Sequence, residues 1–264
     1  MVSPLAGKTI VVTRAATQAS EFVTLLEQYG ATVTLCPTIE IREPENYHQL
    51  DEAIDHLYGY DWIIFTSTNG VDYFLKRLEF KGIPISELDD IRVCPIGEAT
   101  AAKLHDAHIH VDLLPQVSKA EGVYNALSDF VGGQQHLEGL NILIPRAAVG
   151  RDHLPRVLES AGARVDIVAS YRNVVPENLD RGKLSAMLAA DTDCVAFTSS
   201  STVRNLALLF DTHDLSEKLK GLTIACIGDV TAATAEEYGL HVDIKPSQFT
   251  VAELAREIAE YYAR

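Results

Sequence analysis

Hydroxyl-bearing residues follow an apolar run at two places in the chain. The first run leads into FTST, which contains Thr66 and Ser67, and the second leads into FTSS, which contains Thr198 and Ser199. The two copies lie 132 positions apart. Serine and threonine side chains cap helices, and the backbone N–H groups at a helix start also attract anions. The pattern therefore fits two interpretations, helix capping and binding of an anionic ligand.

Two more kinds of polar junction recur in both halves of the chain. VTRAA and IPRAA each carry an arginine, whose planar fork of donors matches a carboxylate or a phosphate. IGEATA and IGDVTA each carry a glycine and a threonine, and glycine allows a close approach to the backbone. Because three kinds of junction occur twice, we favour an anion with several carboxylates or phosphates over capping alone. The residues concerned are Arg14, Arg146, Gly97, Thr100, Gly228 and Thr231.

The segments that carry these junctions are repeated along the chain. The segment from Gly7 reads strand, helix, strand, and the segment from Gly139 repeats that order 132 positions later. Segments 93–115 and 224–246 each read strand, helix, a second strand through H-V-D, and proline. A repeat of domain size predicts an internal duplication and not a solenoid.

Alternating strands and helices predict an α/β fold with mostly parallel sheets in both halves. Two further helices are predicted over 119–131 and 250–262. In such sheets ligands bind beyond the carboxyl ends of the strands, where the helices begin, and all six junctions are predicted to lie there. The repeat alone favours two tandem halves, 1–136 and 137–264.

Composition narrows the classes of partner. The net charge of −15 argues against a nucleic acid, because binding one requires a basic face. A small anion is still compatible, since exposed charges are screened over about 8 Å and the local pocket decides. No apolar run reaches the roughly 20 residues that span a bilayer, so we expect no membrane contact. The N-terminal sequence lacks the pattern of an export signal, which predicts a cytoplasmic protein.

The sequence lacks the motifs of common cofactors. Neither G-x-G-x-x-G nor G-x-x-x-x-G-K-[ST] occurs, so we expect no nucleotide cofactor. The histidines and cysteines show no metal-ligand spacing, and we expect no metal. The cysteines lie in or beside apolar runs, which predicts buried, reduced thiols. They are Cys36, Cys94, Cys194 and Cys226.

Five motifs occur in order along the chain: VVTRAATQAS, IIFTSTNGV, PIGEATA, AFTSSSTVRNL and CIGDVTAATA. With the duplication and the length, they resemble the uroporphyrinogen-III synthase family over about residues 7–262. The resemblance implies two similar flavodoxin-like domains with parallel sheets, joined by a two-stranded crossover hinge at the base of a cleft. One domain would comprise 1–38 and 172–264 and the other 39–171, with crossovers near 37–43 and 168–175.

The resemblance also implies a reaction. Members of this family convert hydroxymethylbilane, a linear tetrapyrrole with many carboxylates, into uroporphyrinogen III. The substrate loses water, its terminal D ring is inverted and the macrocycle closes, without a cofactor or metal. Because a hindered ring carbon must attack, the main requirement is to hold the reactive ends together. We expect a monomer that makes transient contact with hydroxymethylbilane synthase.

Tyr171 is the side chain that the resemblance places nearest the chemistry. Its phenol would donate a hydrogen bond to the departing hydroxyl, and the alternative is an aromatic residue packed in the hinge. Arg146 has a surface role as its alternative. Lys119 and Arg204 are weaker candidates for substrate binding, and we expect them to be solvated helix residues. The predicted substrate-binding residues are Arg14, Thr66, Ser67, Gly97, Thr100, Arg146, Thr198, Ser199, Gly228 and Thr231.

Two other classes of protein compete with this interpretation. A non-catalytic two-domain binder would close on a small anion without converting it. A two-domain glycosyltransferase would hold a nucleotide-sugar and would need an acidic anchor in its second half. The nearest candidate for that anchor is EEYG at 236–239, which is predicted to lie inside a helix. Incubation with hydroxymethylbilane would distinguish all three classes.

Overall fold

The computed structural model describes residues 3–177, 179, 181–189 and 191–264, and within them strands alternate with helices. In this part of the chain no helix has both the length and the apolar character needed to cross a bilayer. The strands are β1 (Thr9–Val12), β2 (Thr32–Leu35), β3 (Glu40–Arg42), β4 (Trp62–Phe65), β5 (Arg92–Pro95), β6 (Asn141–Ala147), β7 (Arg164–Val174), β8 (Cys194–Phe197) and β9 (Thr223–Cys226). The α-helices are α1 (Ser20–Gln28), α2 (His48–Asp55), α3 (Thr68–Phe80), α4 (Glu98–Asp106), α5 (Ala120–Phe130), α6 (His153–Ser160), α7 (Arg181–Ala189), α8 (Ser200–Phe210), α9 (Asp229–Glu237) and α10 (Val251–Tyr262). Short 3-10 helices occupy Ala16–Gln18, Leu57–Gly59, Ile85–Leu88 and Gln134–His136.

The chain divides into two compact units. The first consists of Met1–Ile41 and Val174–Arg264, and it is built on a sheet in the order β2-β1-β8-β9. The strand pairs of this sheet are parallel. Strand β8 is buried along its whole length, as expected for a strand covered on both faces. Alternate strand residues therefore face two separate apolar clusters, one with Val203 of α8 and the other with Phe22 of α1.

The second unit, Arg42–Asn173, contains most of a sheet in the order β3-β7-β6-β4-β5. The pairings of β4 with β5, of β4 with β6 and of β6 with β7 are parallel. Helices again supply an apolar cluster on each face, with Phe74 of α3 in one and Val123 of α5 in the other. The predicted α/β class with parallel sheets is confirmed.

The predicted strands through the two H-V-D motifs are wrong. In the described structure residues 109–115 form no strand, and the second motif leads only to an isolated bridge between Ile244 and Ala225. Periodicity suggested extended backbone at both places. At both places the chain does lie beside an edge strand, but it makes too few backbone hydrogen bonds with that strand to form a strand itself.

Aspartate side chains explain this difference. The Asp112 carboxylate accepts the Val93 N–H at 2.8 Å, and the Asp243 carboxylate accepts the Ile224 N–H at 2.8 Å. The backbone N–H groups of both aspartates donate to the carbonyl oxygens of the same partners at 3.0 Å. Each aspartate thus satisfies both backbone groups of one edge residue and takes the place of a further strand.

All four cysteines are buried and reduced, which confirms that prediction. Burial raises the pKa of the Cys36 thiol to about 11 and the pKa of the Cys94 and Cys226 thiols to about 12. Burial also raises the pKa of Cys194. The thiolate is the reactive form of cysteine. All four thiols should therefore be unreactive for two reasons, because they are buried and because they stay protonated.

We expect the native protein to react slowly with a thiol reagent such as dithionitrobenzoate at pH 8. In denaturant all four thiols should react at the rate of a free thiol, because their pKa values return to about 8.5. The absorbance of the released thionitrobenzoate measures both rates. Fast release of one equivalent from the native protein would show that one of these side chains is accessible.

Candidate active site

The serine junctions cap helices within their own units. Ser67 is the N-cap of α3, and its Oγ accepts the Gly70 N–H at 3.0 Å. Ser199 is the N-cap of α8, and its Oγ accepts the Thr202 N–H at 3.3 Å. The capping interpretation therefore applies to both side chains. The residues that precede them, both partly buried, are Thr66 and Thr198.

The glycine junctions also lie at helix starts. Gly97 is the N-cap of α4 and Gly228 is the N-cap of α9, and both have extended backbone. Glycine has no side chain with which to cap, so the first N–H groups of these helices need other partners. Thr100 and Thr231 lie in the first turns but are only 4% and 5% exposed. A ligand at these junctions would therefore contact backbone more than threonine side chains.

A different side chain lies against each of these glycines. A Cβ at Gly97 would come within 2.5 Å of Ser118 Oγ, and a Cβ at Gly228 would come within 2.9 Å of the Phe249 ring. Ser118 and Phe249 each follow their glycine by 21 positions, and Phe249 is 51% exposed. Neither residue is among those predicted from the sequence, although their common spacing from the two glycines is visible there. One helix start is thus bordered by a hydroxyl and the other by an apolar ring.

Arg14 follows β1 and is partly buried. Burial lowers the pKa of its guanidinium, and the charge of Glu21 opposes that shift. Among the described residues, its buried Nε has no hydrogen-bond partner. A buried donor without a partner costs about 1–3 kcal/mol, which an anionic ligand would offset. Arg14 therefore has a buried donor that an anion could satisfy.

Arg146 shares with Arg14 a buried Nε without a hydrogen-bond partner among the described residues, but it differs in its position and in the partners of its other nitrogens. The predicted position beyond the end of a strand is wrong, because β6 continues through Arg146. Its guanidinium donates to the Arg151 carbonyl and pairs with Asp152 at 2.6 Å. The hydrogen bond from Arg146 in turn lowers the pKa of the Asp152 carboxyl. The charge of Arg146 is therefore already compensated by the loop that follows its own strand.

The end of β6 contains an irregularity that affects Tyr171. Arg146 pairs with Ala169 but Ala147 pairs with Tyr171, so Ser170 is an extra residue in β7. Ser170 is fully buried, and its hydroxyl donates to the Arg146 carbonyl at 3.3 Å. Such a bulge changes the direction of the side chains that follow it, and bulges are common beside active sites. The bulge thus sets Tyr171 opposite the last residue of β6.

Tyr171 is buried and has specific neighbours. Its hydroxyl oxygen lies 3.0 Å from Ser67 Oγ. Its ring stacks on Tyr73 of α3, with a centroid distance of 5.8 Å and an interplanar angle of 29°. Only 6% of Tyr171 is exposed, so Ser67 provides its phenol with a hydrogen-bond partner at a buried position. Tyr171 and Ser67 are predicted from the sequence as separate site residues and Tyr73 is not predicted, because nothing in their spacing shows that the three meet.

The two weaker basic candidates are exposed. Arg204 lies on the surface of α8, and Lys119 is the N-cap of α5. These positions agree with the prediction that both side chains are solvated.

Sequence relatives identify the family. A family model described as Uroporphyrinogen-III synthase HemD matches residues 20–256. The chain is 33% identical to uroporphyrinogen-III synthase from Synechococcus elongatus over 262 residues, covering 98% of this chain and 97% of that relative. It is 32% identical to the enzyme of the same name from Chlorobaculum parvum over 255 residues, covering 96% and 98%.

Solved structures agree at the level of the fold. A mutant uroporphyrinogen III synthase from the extremely thermophilic bacterium Thermus thermophilus has a TM-score of 0.68 at 18% identity, with 96% of this chain and 98% of that chain covered. The uroporphyrinogen-III synthetase of Helicobacter pylori has a TM-score of 0.64 at 20% identity, with 96% and 99% covered. These structures support the fold, and the sequence matches carry the assignment. The chain belongs to the uroporphyrinogen-III synthase family.

Proposed function

We propose that this protein is a uroporphyrinogen-III synthase, which cyclises hydroxymethylbilane to uroporphyrinogen III with loss of water and inversion of the D ring. The observation that carries the proposal is the family match over residues 20–256. It favours the synthase over a non-catalytic anion binder and over a glycosyltransferase. The proposed chemistry uses side chains and backbone groups of the chain itself.

We propose that Tyr171 assists the loss of water. A pyrrole nitrogen lone pair expels the terminal hydroxyl and produces an electrophilic azafulvene. A phenol that donates a hydrogen bond to the departing oxygen lowers the barrier to this step. The support for this role is the position of the phenol beside Ser67 at the start of α3. Exclusion of water would then protect the azafulvene until a spiro intermediate forms and the macrocycle closes.

We propose that helix starts and Arg14 bind the carboxylates of the substrate. Each helix start resembles about half a positive charge, and its N–H groups point outward along the helix axis. The Nε atoms of Arg14 and Arg146 are both buried without a partner among the described residues, so Arg14 is favoured on charge and not on this feature. Arg146 is the weaker member because Asp152 already neutralises it. The other proposed members are Thr66, Ser67, Gly97, Thr100, Thr198, Ser199, Gly228 and Thr231.

We also propose that the two units are the two domains of the family, that they arose by duplication and that two strands form the hinge between them. The repeat of sequence motifs 132 positions apart supports the duplication. The unit boundaries after Ile41 and Asn173 lie close to the predicted boundaries after residues 38 and 171. Both fall within strands, β3 and β7, that are neighbours in one sheet, which supports the hinge. Transient contact with hydroxymethylbilane synthase stays a prediction.

The direct test is incubation of the purified protein with hydroxymethylbilane. We expect uroporphyrinogen III as the main product, separated from the type I isomer by chromatography after oxidation to porphyrins. Formation of type I alone, at the rate seen without protein, would contradict the proposal. Binding of hydroxymethylbilane without conversion would favour the anion binder instead.

Replacing Arg14 with glutamine should raise KM for hydroxymethylbilane by about 10-fold, because a hydrogen bond between two charged groups contributes about 1.5–3 kcal/mol. Turnover at saturating substrate should change less. Steady-state kinetics at constant ionic strength measure both constants. The matched control is Arg204→Gln in the same unit, which removes an exposed arginine and should leave KM unchanged. Equal increases for the two variants would show that only net charge matters.

A further inference from the structure

The hydroxyl of Ser67 has two partners, which limits what else it can do. A serine hydroxyl has one proton to donate and two lone pairs that accept. One lone pair accepts the Gly70 N–H at 3.0 Å, and the phenol oxygen of Tyr171 lies 3.0 Å away on another side. A direct contact with a substrate carboxylate would require the same proton that the phenol can receive.

The distance between Ser67 and Tyr171 is set by the backbone on both sides. On the helix side, a Cβ at Gly70 would lie 2.9 Å from the Pro145 carbonyl oxygen, so glycine allows the first turn of α3 to pack directly on β6. On the strand side, the bulge at Ser170 fixes the direction of Tyr171. Both hydroxyls are therefore attached to elements that lie against the backbone of the same strand, β6.

We infer that Ser67 is a positioning residue that acts through Tyr171, a role that replaces the carboxylate contact of its side chain and that rests on the proposed function. The Ser67 O–H donates to the phenol oxygen, so that the proton of the phenol points away from Ser67 and toward the departing hydroxyl. When the phenol O–H breaks, its proton leaves with the hydroxyl as water and the oxygen becomes negative. The Ser67 hydrogen bond, polarised by the Gly70 N–H, stabilises that charge.

The proton balance of the step is complete without another reagent. The pyrrole lone pair forms a C=N bond, the ring double bonds shift to form a C=C bond to the exocyclic carbon, and the C–O bond at that carbon breaks with its electron pair leaving on the oxygen. The pyrrolic N–H then releases its proton when the azafulvene forms, and this proton restores the phenol. Ser67 keeps its own proton throughout, which distinguishes positioning from acid catalysis.

The first unit provides a natural comparison. Ser199 caps α8 as Ser67 caps α3, but the position 132 residues before Tyr171 is Ile39, which has no hydroxyl. Loss of either serine hydroxyl removes a helix cap, whereas within the described part of the chain the hydroxyl that is paired with a phenol is that of Ser67. Ser199→Ala is therefore the control for the capping part of any effect of Ser67→Ala.

The test is a double-mutant cycle on the full chain with Ser67→Ala, Tyr171→Phe and the double variant, together with Ser67→Thr. We expect Ser67→Ala to lower kcat by about 10-fold with KM within about 2-fold, which corresponds to one lost hydrogen bond in the transition state. In the Tyr171→Phe background the same change should have no further effect on kcat. Ser67→Thr keeps the hydroxyl and should restore most of the turnover.

Two measurements separate this role from a structural one. Ser67→Ala should lower Tm more than Ser199→Ala, because it loses the hydrogen bond to Tyr171 as well as the helix cap, while any kinetic effect of Ser199→Ala should fall on KM. In protein labelled with 13C at the tyrosine Cζ, Ser67→Ala should shift the resonance that Tyr171→Phe removes. That readout requires no substrate.

Several outcomes would overturn the inference. An effect of Ser67→Ala that is undiminished in the Tyr171→Phe background would show that the two residues act independently. If the effect of Ser67→Ala is confined to KM, Ser67 binds a substrate carboxylate and does not act through Tyr171. If the wild-type protein forms the type III isomer and Ser67→Ala gives either of these two results, the proposed function still holds and only the inference about Ser67 is wrong. A wild-type protein that makes no type III isomer would overturn the proposed function and this inference with it.

Discussion

Replacing Tyr171 with phenylalanine is expected to lower kcat for uroporphyrinogen III formation by about 100-fold, since a positioned proton donor typically contributes 10²- to 10⁴-fold. The change removes one oxygen from a residue that is 6% exposed, so the ring should keep its place against Tyr73. The hydrogen bond to Ser67 is lost, and the free energy of unfolding should fall by about 1 kcal/mol. Rates of type III formation, with thermal unfolding measured beside them, test this result.

The control for this experiment is Tyr58→Phe in the same unit. Tyr58 is 86% exposed and lies outside the proposed site, so its loss of a hydroxyl should leave both rate and stability unchanged. If Tyr171→Phe forms the type III isomer at the wild-type rate, the phenol takes no part in catalysis. Tyr171 would then be an aromatic residue that packs on Tyr73 and nothing more.

Replacing Gly122 with alanine is expected to destabilise the second unit by about 2 kcal/mol. Alanine is normally the better helix former by about 1 kcal/mol, so an ordinary helix site would gain stability. Here a Cβ would lie 2.0 Å from the backbone carbonyl oxygen of Val117, a contact so short that the backbone must move to relieve it. Overpacking of this kind costs about 1–3 kcal/mol and sometimes more. The displaced segment includes Ser118, so the region around Gly97 should change as well.

Unfolding of this unit can be followed with one probe. Trp62 is the single tryptophan of the chain, and it contacts the Phe130 ring at the end of α5 with a centroid distance of 5.2 Å. Denaturant titration by tryptophan fluorescence should give a lower midpoint for Gly122→Ala. Gly59→Ala is the matched control, because a Cβ there meets no described atom within 4 Å and its stability should change by less than about 0.5 kcal/mol. An unchanged midpoint for Gly122→Ala would show that the 117–122 turn can adjust freely.

Much of the fold could be predicted because the spacing of apolar residues along the sequence indicates which face of each helix or strand is buried. The helices expected over 119–131 and 250–262 occur at Ala120–Phe130 and Val251–Tyr262. The H-V-D segments were predicted wrongly for a physical reason. An extended segment beside an edge strand and a true strand have the same residue pattern, and the difference lies in whether a carboxylate or a backbone carbonyl accepts the edge N–H.

The candidate site could be predicted only in part. Capping residues such as Ser67 and Ser199 are local signals, because the helix they cap follows them directly in the sequence. The contact between Ser67 and Tyr171 depends on a register shift in β7, and register is a property of pairing that no single segment encodes. The pairing of Arg146 with Asp152 could likewise not be predicted from the sequence, since it forms only because the chain turns back after β6.

The aspartates beside the outer strands also bear on how this protein behaves at high concentration. Strands β5 and β9 each end a sheet, and an uncovered strand of this kind recruits further chains into aggregates. Asp112 and Asp243 occupy the outward backbone groups of Val93 and Ile224, and Pro95 has no N–H to offer. Either carboxylate, once lost to mutation, would open a place where a second molecule could add a strand, so such variants should precipitate before they lose their fold.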